Sequence, residues 1–215
     1  MSDTPSYEIE IRFCVAEPAE AYTLLPFLER SLGAPKVWAT DIVGRAVYES
    51  GRLLRLGRVP PTGSTRYYLG YKGPDLGSFA NLRQEWGEEI TDGITQSAIL
   101  RMLDLADSYP TYTAVIAALT DAGHTPFMGF AGVDRLGYDA SLQIHTKLCQ
   151  CEAILDQQFL IELEMSAASL EEAHAAEVRL QEIAEKYRIT DRLFRDEPPT
   201  MLYKRTFGGA TRRQP

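Results

Sequence analysis

Hydrophobic and polar residues alternate strictly in a stretch near the N-terminus of the chain. In residues 7–13 (YEIEIRF), one set of alternate side chains is apolar, and the other set is Glu8, Glu10 and Arg12. A period of two predicts a β-strand whose two faces meet different surroundings. A strand with its charged face in water would show the same pattern, so alternation alone does not place these charges inside the protein.

A second alternating stretch lies near the other end of the chain. Residues 159–165 (FLIELEM) place Glu162 and Glu164 together on one face of a predicted strand. If the acidic faces of the two strands meet inside a closed sheet, four carboxylates converge, and a hard divalent cation is the natural way to hold them together. If both faces are solvated, the carboxylates need no partner.

The segments between these two predict further strands and several helices. Residues 65–72 and 82–90 alternate, and they place Lys72 on one polar face and Arg83 with Glu85 on the next. Looser strand patterns occupy residues 37–49, 53–59, 126–135 and 141–155. Helices with an apolar stripe are predicted at residues 19–31, from 92 or 95 to about 106, 111–122 and 169–187.

The sum of these elements predicts one antiparallel barrel with a polar interior. We find no linker that would divide the chain, so residues 1–215 are expected to form a single domain with a core of about 7–205. The end of the chain is basic, and its glycines and polar residues predict a flexible tail. Its charged residues are Lys204, Arg205, Arg212 and Arg213.

Composition narrows the classes of function. A hydrophobic content of 45% and a charged content of 24% are typical of a globular protein. No apolar run is long enough to span a bilayer, and the first residues lack a signal sequence, so we expect a cytoplasmic protein with no membrane partner. The formal net charge of −8 argues against a nucleic-acid partner, although it leaves an anionic small molecule open. The cysteines lack zinc-site spacing and are expected to be buried thiols.

Four motifs, in the same order along the chain, resemble the CYTH superfamily of triphosphate tunnel proteins. This superfamily includes class IV adenylyl cyclases and thiamine triphosphatases. Residues 8–12 (EIEIR) resemble its E-x-E-x-K signature, and residues 69–74 (LGYKGP) resemble the L-T-Y-K-G-P strand of the cyclase branch. Residues 83–85 (RQE) resemble the R-x-E strand that follows, and residues 152–164 resemble its two acidic segments. The resemblance covers nearly the whole chain.

This resemblance implies an α+β fold, a closed eight-stranded antiparallel β-barrel with helices packed outside. It also implies a Mg²⁺ or Mn²⁺ cofactor and a triphosphate-containing partner such as ATP, tripolyphosphate or thiamine triphosphate. The implied metal ligands are Glu8, Glu10, Glu152, Glu162 and Glu164. The implied triphosphate-binding residues are Arg55, Lys72, Arg83 and Arg135. Arg12 and Glu85 are the implied catalytic residues, Arg12 in place of the signature lysine and Glu85 orienting the cations or adding to the metal site. Arg58 and Lys147 have no assigned role.

Three departures from the family pattern affect the expected chemistry. Arg12 keeps the charge of the signature lysine but cannot donate or accept a proton in a reaction. Gly57 stands where a second arginine would follow Arg55, and residues 133–135 (VDR) stand where the family has K-x-R. We therefore expect phosphate binding with fewer contacts and a weaker catalytic step.

Three functions fit this resemblance. The first is a phosphorus-oxygen lyase, in which the ribose 3′-hydroxyl of ATP attacks the α-phosphate and cyclic AMP and pyrophosphate form. The second is a triphosphate phosphohydrolase, in which water attacks inorganic, thiamine or nucleoside triphosphate. The third is a binding module that holds a polyphosphate or a nucleotide without reacting it. The sequence does not predict the oligomeric state.

Overall fold

The computed structural model describes residues 6–60, 65–155 and 158–208. Its eight strands are β1 (Ser6–Val15), β2 (Leu32–Val43), β3 (Leu53–Val59), β4 (Arg66–Lys72), β5 (Asn81–Glu89), β6 (Pro126–Asp139), β7 (Ile144–Gln150) and β8 (Phe159–Ala167). All neighbouring strands are antiparallel, and the sheet closes on itself in the order β1-β5-β4-β3-β2-β6-β7-β8. The predicted closed antiparallel sheet is present.

Helices accompany this ring of strands. They are α1 (Pro18–Leu24), α2 (Leu28–Ser31), α3 (Arg45–Glu49), α4 (Ala98–Met102), α5 (Tyr112–Asp121), α6 (Glu152–Leu155), α7 (Leu170–Lys186) and α8 (Pro198–Phe207). The longest of them, α7, begins where the hydroxyl of Ser169 accepts a hydrogen bond from the backbone N–H of Glu172. This cap satisfies a backbone N–H that has no partner within the helix.

The packing of α7 explains which face of β1 and β8 turns inward. The apolar residues of these strands, Ile9 and Phe13 of β1 and Leu163 of β8 among them, share one buried core with Leu180 and Ile183 of α7. Because side chains alternate along a strand, covering the apolar face with a helix turns the charged face toward the interior of the ring. Burial of the apolar faces of β1 and β8 against α7 therefore directs the acidic side chains of these strands into the interior of the ring.

Several predicted elements differ in their boundaries. The strand predicted at residues 37–49 ends at Val43 and is followed by α3, and the helix predicted from 92 or 95 to about 106 is reduced to α4. The helix predicted at residues 19–31 is split into α1 and α2, because Pro26 lacks a backbone N–H and cannot continue a helix. The strand predicted at residues 141–155 ends at Gln150, and the short helix α6 follows it.

The helices α3 and α8 were not predicted. The first two residues of α8 are Pro198 and Pro199, a favourable start for a helix because proline's fixed φ suits the first turn. The predicted basic tail beyond Gly208 lies outside the described residues. Among the residues that the structure describes, no helix combines the length and the apolar character needed to cross a bilayer.

Candidate functional site

The interior of the ring contains a cavity of about 450 Å³ with charged walls. Acidic residues come from β1 and β8, and basic residues come from β3, β4 and β7. The charged residues that line it on these strands are Glu8, Glu10, Arg55, Arg58, Lys72, Lys147, Glu162 and Glu164. The two ends of the chain thus bring their carboxylates to the same space as the cations from the middle of the chain.

Strand register sets which of these charges are neighbours. Glu10 of β1 lies opposite Glu164 of β8, and Arg12 lies opposite Glu162. On the other side of β8, Lys147 of β7 also lies opposite Glu162. Residues opposite each other in an antiparallel pair have Cβ atoms about 4.5–5.5 Å apart, close enough for their charges to interact strongly. Glu162 therefore has a cation on either side, whereas Glu10 and Glu164 face each other.

Glu8 and Glu10 share one lysine. The ammonium of Lys72 contacts the carboxylate of Glu8, and its Nζ lies 3.8 Å from Oε1 of Glu10. Glu10 also contacts the guanidinium of Arg12. Burial alone would raise the pKa of Glu10, but Arg12 and Lys72 more than offset it and hold the pKa at about 2. Glu10 is therefore an ionised carboxylate.

Glu164 has no ion-pair or hydrogen-bond partner among the described residues. Burial, reinforced by the negative charge of Glu10, raises the pKa of Glu164 to about 7. Burial also raises the pKa of Glu8, and Lys72 only partly opposes it. On this side of the cavity, two carboxyl groups therefore keep their protons to a higher pH than ordinary carboxyl groups do.

Arg12 is completely buried, with a relative exposure of 0%. Its Nε lies 3.2 Å from Oε1 of Glu162, and its Nη1 donates to Asn81 Oδ1 at 2.7 Å and to the carbonyl of Arg195 at 2.9 Å. The carboxylates of Glu10 and Glu162 keep the pKa of Arg12 above its ordinary value despite the opposing effect of burial. The guanidinium thus ties β1 to β5, to β8 and to the segment before α8, and all of these contacts are internal.

Two further predicted residues, Arg55 of β3 and Glu85 of β5, form an ion pair. Arg55 Nη2 donates to Glu85 Oε1 at 2.6 Å. Arg55 lies opposite Gly70 of β4, where a Cβ atom would come within 2.8 Å of the arginine Nε. The glycine therefore makes room for the arginine to lie across β4 toward β5. Glu85 thus holds the guanidinium of Arg55 in place, and its expected role in the reaction stays a prediction.

Arg83 lies at one end of the ring and pairs with a residue that the sequence did not indicate. Its Nε is 3.0 Å from Oε1 of Glu197, and its Nη1 donates to the carbonyls of Gly51 and Gly73 at 3.0 and 2.7 Å. Glu197 is the residue before α8, and together with Pro198 it also lines the central cavity. The cation predicted to hold a phosphate is thus already paired with a carboxylate.

The structure does not bring every predicted residue into the cavity. Arg135 donates to the carbonyl of Gly33 and to the hydroxyl of Tyr22, on the outer side of β6, so the expectation that it faces the phosphates is corrected. Its neighbour Asp134 lines the cavity instead. Glu152 is the first residue of α6, and its side chain lies outside the described residues.

The sequence did not single out Asp134 and Glu197, and it assigned no role to Lys147, whose Nζ lies 2.8 Å from Oε2 of Glu162. The alternation of β7, in which Lys147 and Cys149 share a face, could have indicated the lysine. Burial raises the pKa of the Cys149 thiol, so this cysteine is a poor nucleophile. No periodic pattern marks Glu197, which precedes two prolines.

The carboxylates of Glu8, Glu10 and Glu164 are the type of ligand that Mg²⁺ and Mn²⁺ prefer. As the side chains stand, no group of three His, Cys, Asp or Glu within the described part of the chain is placed to hold an ion. Lys72 and Arg12 contact two of these carboxylates, while Glu164 has no ion-pair partner in the part of the chain that the structure describes. The donor set fits a hard cation, provided that Lys72 moves away from Glu8.

Comparison with known proteins supports the fold. No family model matches the chain, and no curated protein matches it. Among solved structures, a protein of Pyrococcus horikoshii OT3 superposes with a TM-score of 0.70 at 15% identity, over 92% of this chain and 99% of its own. A candidate adenylate cyclase of Vibrio parahaemolyticus gives a TM-score of 0.64 at 11% identity, with coverages of 91% and 97%.

A third similar structure is a candidate adenylyl cyclase from Hippeastrum with a dominant triphosphatase activity. It gives a TM-score of 0.50 at 16% identity and covers 86% of this chain and 88% of its own. Likenesses at these identities establish the fold and leave the activity open. The likenesses show that the chain has the fold of these structures, which is the fold that the sequence resemblance implied.

Proposed function

We propose that this protein is a divalent-metal-dependent enzyme that acts on a triphosphate-containing small molecule inside the ring of strands. The observation that carries the proposal is the cavity itself. Arg55 and Lys72 enter it from β3 and β4, next to the carboxylates of Glu8, Glu10 and Glu164. A triphosphate needs cations for its oxygens, and phosphoryl chemistry needs further positive charge where negative charge develops.

The acidic side would hold Mg²⁺ or Mn²⁺ through Glu8, Glu10 and Glu164. When bound, the metal would neutralise the negative charge that builds on the phosphoryl oxygens during the reaction. Glu162 contributes less to this group, because Arg12 and Lys147 already occupy its two oxygens. Arg12 serves here by fixing the carboxylates of Glu10 and Glu162.

The basic side would hold the phosphates. Arg55 is suited to a two-point contact with phosphate oxygens, and Glu85 keeps its guanidinium in place. Lys72 is suited to a point-charge contact, and it would exchange the carboxylate of Glu8 for a phosphate oxygen. The same movement would free Glu8 for the metal, so binding of the phosphate and of the metal would support each other.

For the reaction, we propose cyclisation of ATP to cyclic AMP and pyrophosphate, because residues 69–74 resemble the class IV cyclase strand that carries Lys72. The second candidate is hydrolysis of a triphosphate, which the dominant triphosphatase activity of the Hippeastrum neighbour favours. A third candidate, binding without turnover, is favoured by the complete internal engagement of Arg12.

The test is to incubate the purified protein with ATP, tripolyphosphate or thiamine triphosphate and either Mg²⁺ or Mn²⁺, and to identify products by ³¹P NMR. Cyclic AMP with pyrophosphate would support cyclisation, and orthophosphate would support hydrolysis. Glu10→Gln should abolish turnover, while Glu182→Gln, on the exposed side of α7, should not. Absence of turnover with all three substrates would overturn the proposal that the protein is an enzyme. If calorimetry also detected no binding, the proposal that it binds a triphosphate would be overturned as well.

A further inference from the structure

A chain of side-chain hydrogen bonds leads from the buried Arg12 to the surface. Nη1 of Arg12 donates to Oδ1 of Asn81 at 2.7 Å, and Nδ2 of Asn81 donates to Oδ2 of Asp75 at 3.1 Å. Nη2 of Arg195 donates to the same Oδ2 of Asp75 at 2.5 Å. The chain thus runs from a completely buried guanidinium to an arginine whose side chain is 43% exposed.

The nitrogens of the Arg12 guanidinium have different partners. Nε lies 3.2 Å from Oε1 of Glu162, and Nη2 contacts the carboxylate of Glu10. Nη1 contacts no carboxylate and donates instead to Asn81 and to the carbonyl of Arg195. Because the guanidinium is planar and rigid, fixing Nη1 also fixes the direction in which Nε and Nη2 point.

Asp75 is itself held in one orientation by the backbone. Its Oδ1 accepts the N–H groups of Gly77 and Leu82, each at 3.0 Å, which leaves Oδ2 for the two side-chain donors. Burial opposes ionisation, but these donors outweigh it and hold the pKa of Asp75 below its ordinary value. Since a carboxylate only accepts and a guanidinium only donates, one orientation of the Asn81 amide satisfies both neighbours.

Strand register places Asn81 beside the acidic residues of the cavity. It is the first residue of β5 and lies opposite Glu10 of β1, which in turn lies opposite Glu164 of β8. Asn81 is 5% exposed, and a buried amide of this kind rarely lacks hydrogen-bond partners. The amide thus lies next to a proposed metal ligand, with its oxygen already engaged by Arg12.

We propose that Asn81 and Asp75 are positioning residues of the metal site. Through Arg12 they hold the carboxylates of Glu10 and Glu162, and they thereby set the affinity of the cavity for Mg²⁺ or Mn²⁺. The inference rests on the proposed function, because it takes Glu10 to bind the metal. Replacing groups that hold metal ligands from outside typically costs roughly ten- to a hundredfold in metal affinity.

Glu177 of α7 braces the same loop without joining this chain of bonds. Its Oε1 accepts the backbone N–H groups of Ser78, Phe79 and Ala80 at 2.7, 2.7 and 2.9 Å. These bonds hold the backbone of the loop, and none of them involves the Asn81 amide. Glu177→Ala should therefore lower the unfolding temperature and leave the affinity for Mn²⁺ unchanged, which makes it the control for a purely structural role.

The test measures the affinity for Mn²⁺ alone from the electron paramagnetic resonance signal of the free ion, well below the unfolding temperature of each variant. Asn81→Ala removes the link, and Asp75→Asn sets two N–H donors against each other, because the backbone bonds keep an oxygen in the place of Oδ1. Each should weaken Mn²⁺ binding by about tenfold or more. Combining Asp75→Asn with Asn81→Asp restores a donor facing an acceptor at unchanged net charge, and it should regain most of the lost affinity.

The outcomes separate the inference from the proposed function. Wild-type affinity in both single variants, or a double variant as weak as Asp75→Asn, would overturn the inference and leave the proposed function standing. An equal loss in Glu177→Ala would overturn it as well, since the loop would then act through stability alone. If the wild-type protein does not bind Mn²⁺, the proposed metal dependence fails, and the inference fails with it.

A milder variant keeps the inference testable if both single variants fail to fold. Arg195→Ala removes the exposed end of the chain of bonds and leaves the buried Asn81 and Asp75 in place. A several-fold loss of Mn²⁺ affinity is then expected, and an unchanged affinity would overturn the inference.

Discussion

Glu10 and Glu164 lie directly opposite each other on β1 and β8, inside the ring, and they differ sharply in their surroundings. Glu10 contacts Arg12 and lies 3.8 Å from Lys72, whereas Glu164 has no cation partner among the described residues. Like charges opposite each other on neighbouring strands destabilise a sheet. This pair therefore marks the place where the protein is best able to accept another cation.

The first prediction concerns the stability of the metal-free protein. The pKa of Glu164 is about 7 in the folded state and near 4.5 when exposed, so the folded state holds this proton more tightly. The free energy of unfolding therefore decreases as pH rises from about 4.5 through 7. Glu164→Gln should not show this decrease, because glutamine has no proton to lose in this range. Urea unfolding should show the variant to be more stable by about 3 kcal/mol at pH 8 and equal to the wild type at pH 4. Equal stability at both pH values would contradict the assignment.

The second prediction concerns the binding of Mn²⁺ by Glu10 and Glu164. Mn²⁺ should raise the unfolding temperature of the wild-type protein at pH 8, because a ligand that binds only the folded state stabilises it. It should do so much less at pH 5, where Glu164 is mostly protonated, and hardly at all in Glu164→Gln. Glu182→Gln, whose site is exposed on α7, is the control and should respond like the wild type. An unchanged response in Glu164→Gln would place the metal elsewhere.

A third prediction addresses Arg12. Removal of one partner from a buried ion pair leaves an uncompensated charge and costs about 3–5 kcal/mol, so Arg12→Ala should unfold at a much lower urea concentration. Arg66→Ala removes an exposed arginine, 3.9 Å from Glu89, and should shift the unfolding midpoint far less, because exposed ion pairs contribute little to stability. If Arg12→Ala were as stable as Arg66→Ala and lost only activity, Arg12 would act in the reaction and not as a structural bridge.

The fourth prediction separates binding from chemistry at Lys72. Lys72→Ala should raise KM by roughly tenfold or more, with a smaller change in kcat, because the lysine is proposed to hold a phosphate oxygen in substrate and transition state alike. Lys36→Ala, on the exposed part of β2, is the control. A variant with an unchanged KM would exclude the phosphate role of Lys72.

A fifth prediction follows from the pair between Arg83 and Glu197. The carboxylate of Glu197 pairs with the guanidinium of Arg83, which the sequence predicts to contact a phosphate. Glu197→Gln keeps the shape and removes the charge, so it should increase the affinity for tripolyphosphate several-fold in calorimetry, and the gain should vanish in a variant that also carries Arg83→Ala. An unchanged affinity in Glu197→Gln, or a gain that persists when Arg83→Ala is added, would show that Arg83 does not contribute to binding.

Much of the ring could be predicted from the sequence because two signals agree there. The alternation of residues 7–13 and 159–165 gives the strands, and the amphipathic helix α7 supplies a cover for their apolar faces. Once the helix covers that side, Glu10 and Glu164 must point inward. The four acidic residues of these two strands were therefore placed correctly in the cavity.

The position of Arg135 shows why a motif match alone was not enough. Because successive side chains of a strand point to opposite faces, an alignment displaced by one residue exchanges the inside for the outside. The loose pattern of β6 contains glycines and apolar residues on both faces, so it could not fix which of Asp134 and Arg135 faces inward. The hydrogen bonds of Arg135 to Gly33 and Tyr22 decide the question in the structure.

Glu197 and the helix α8 depend on contacts that are remote in sequence. The segment before α8 carries no hydrophobic period, and its place at the end of the ring follows from contacts such as the bond between Arg12 and the carbonyl of Arg195. The pairing of Arg83 with Glu197 likewise joins residues more than a hundred positions apart. Local pattern carries no information about such pairs.

The most direct test of the central claim is anomalous scattering at the manganese edge from a crystal soaked with Mn²⁺ and tripolyphosphate. A manganese peak is expected within coordination distance of carboxylate oxygens of Glu10 and Glu164, with phosphate density against Arg55 and Lys72 in the same cavity. A manganese site on the outer surface of the ring, or a cavity without phosphate density at saturating tripolyphosphate, would contradict it.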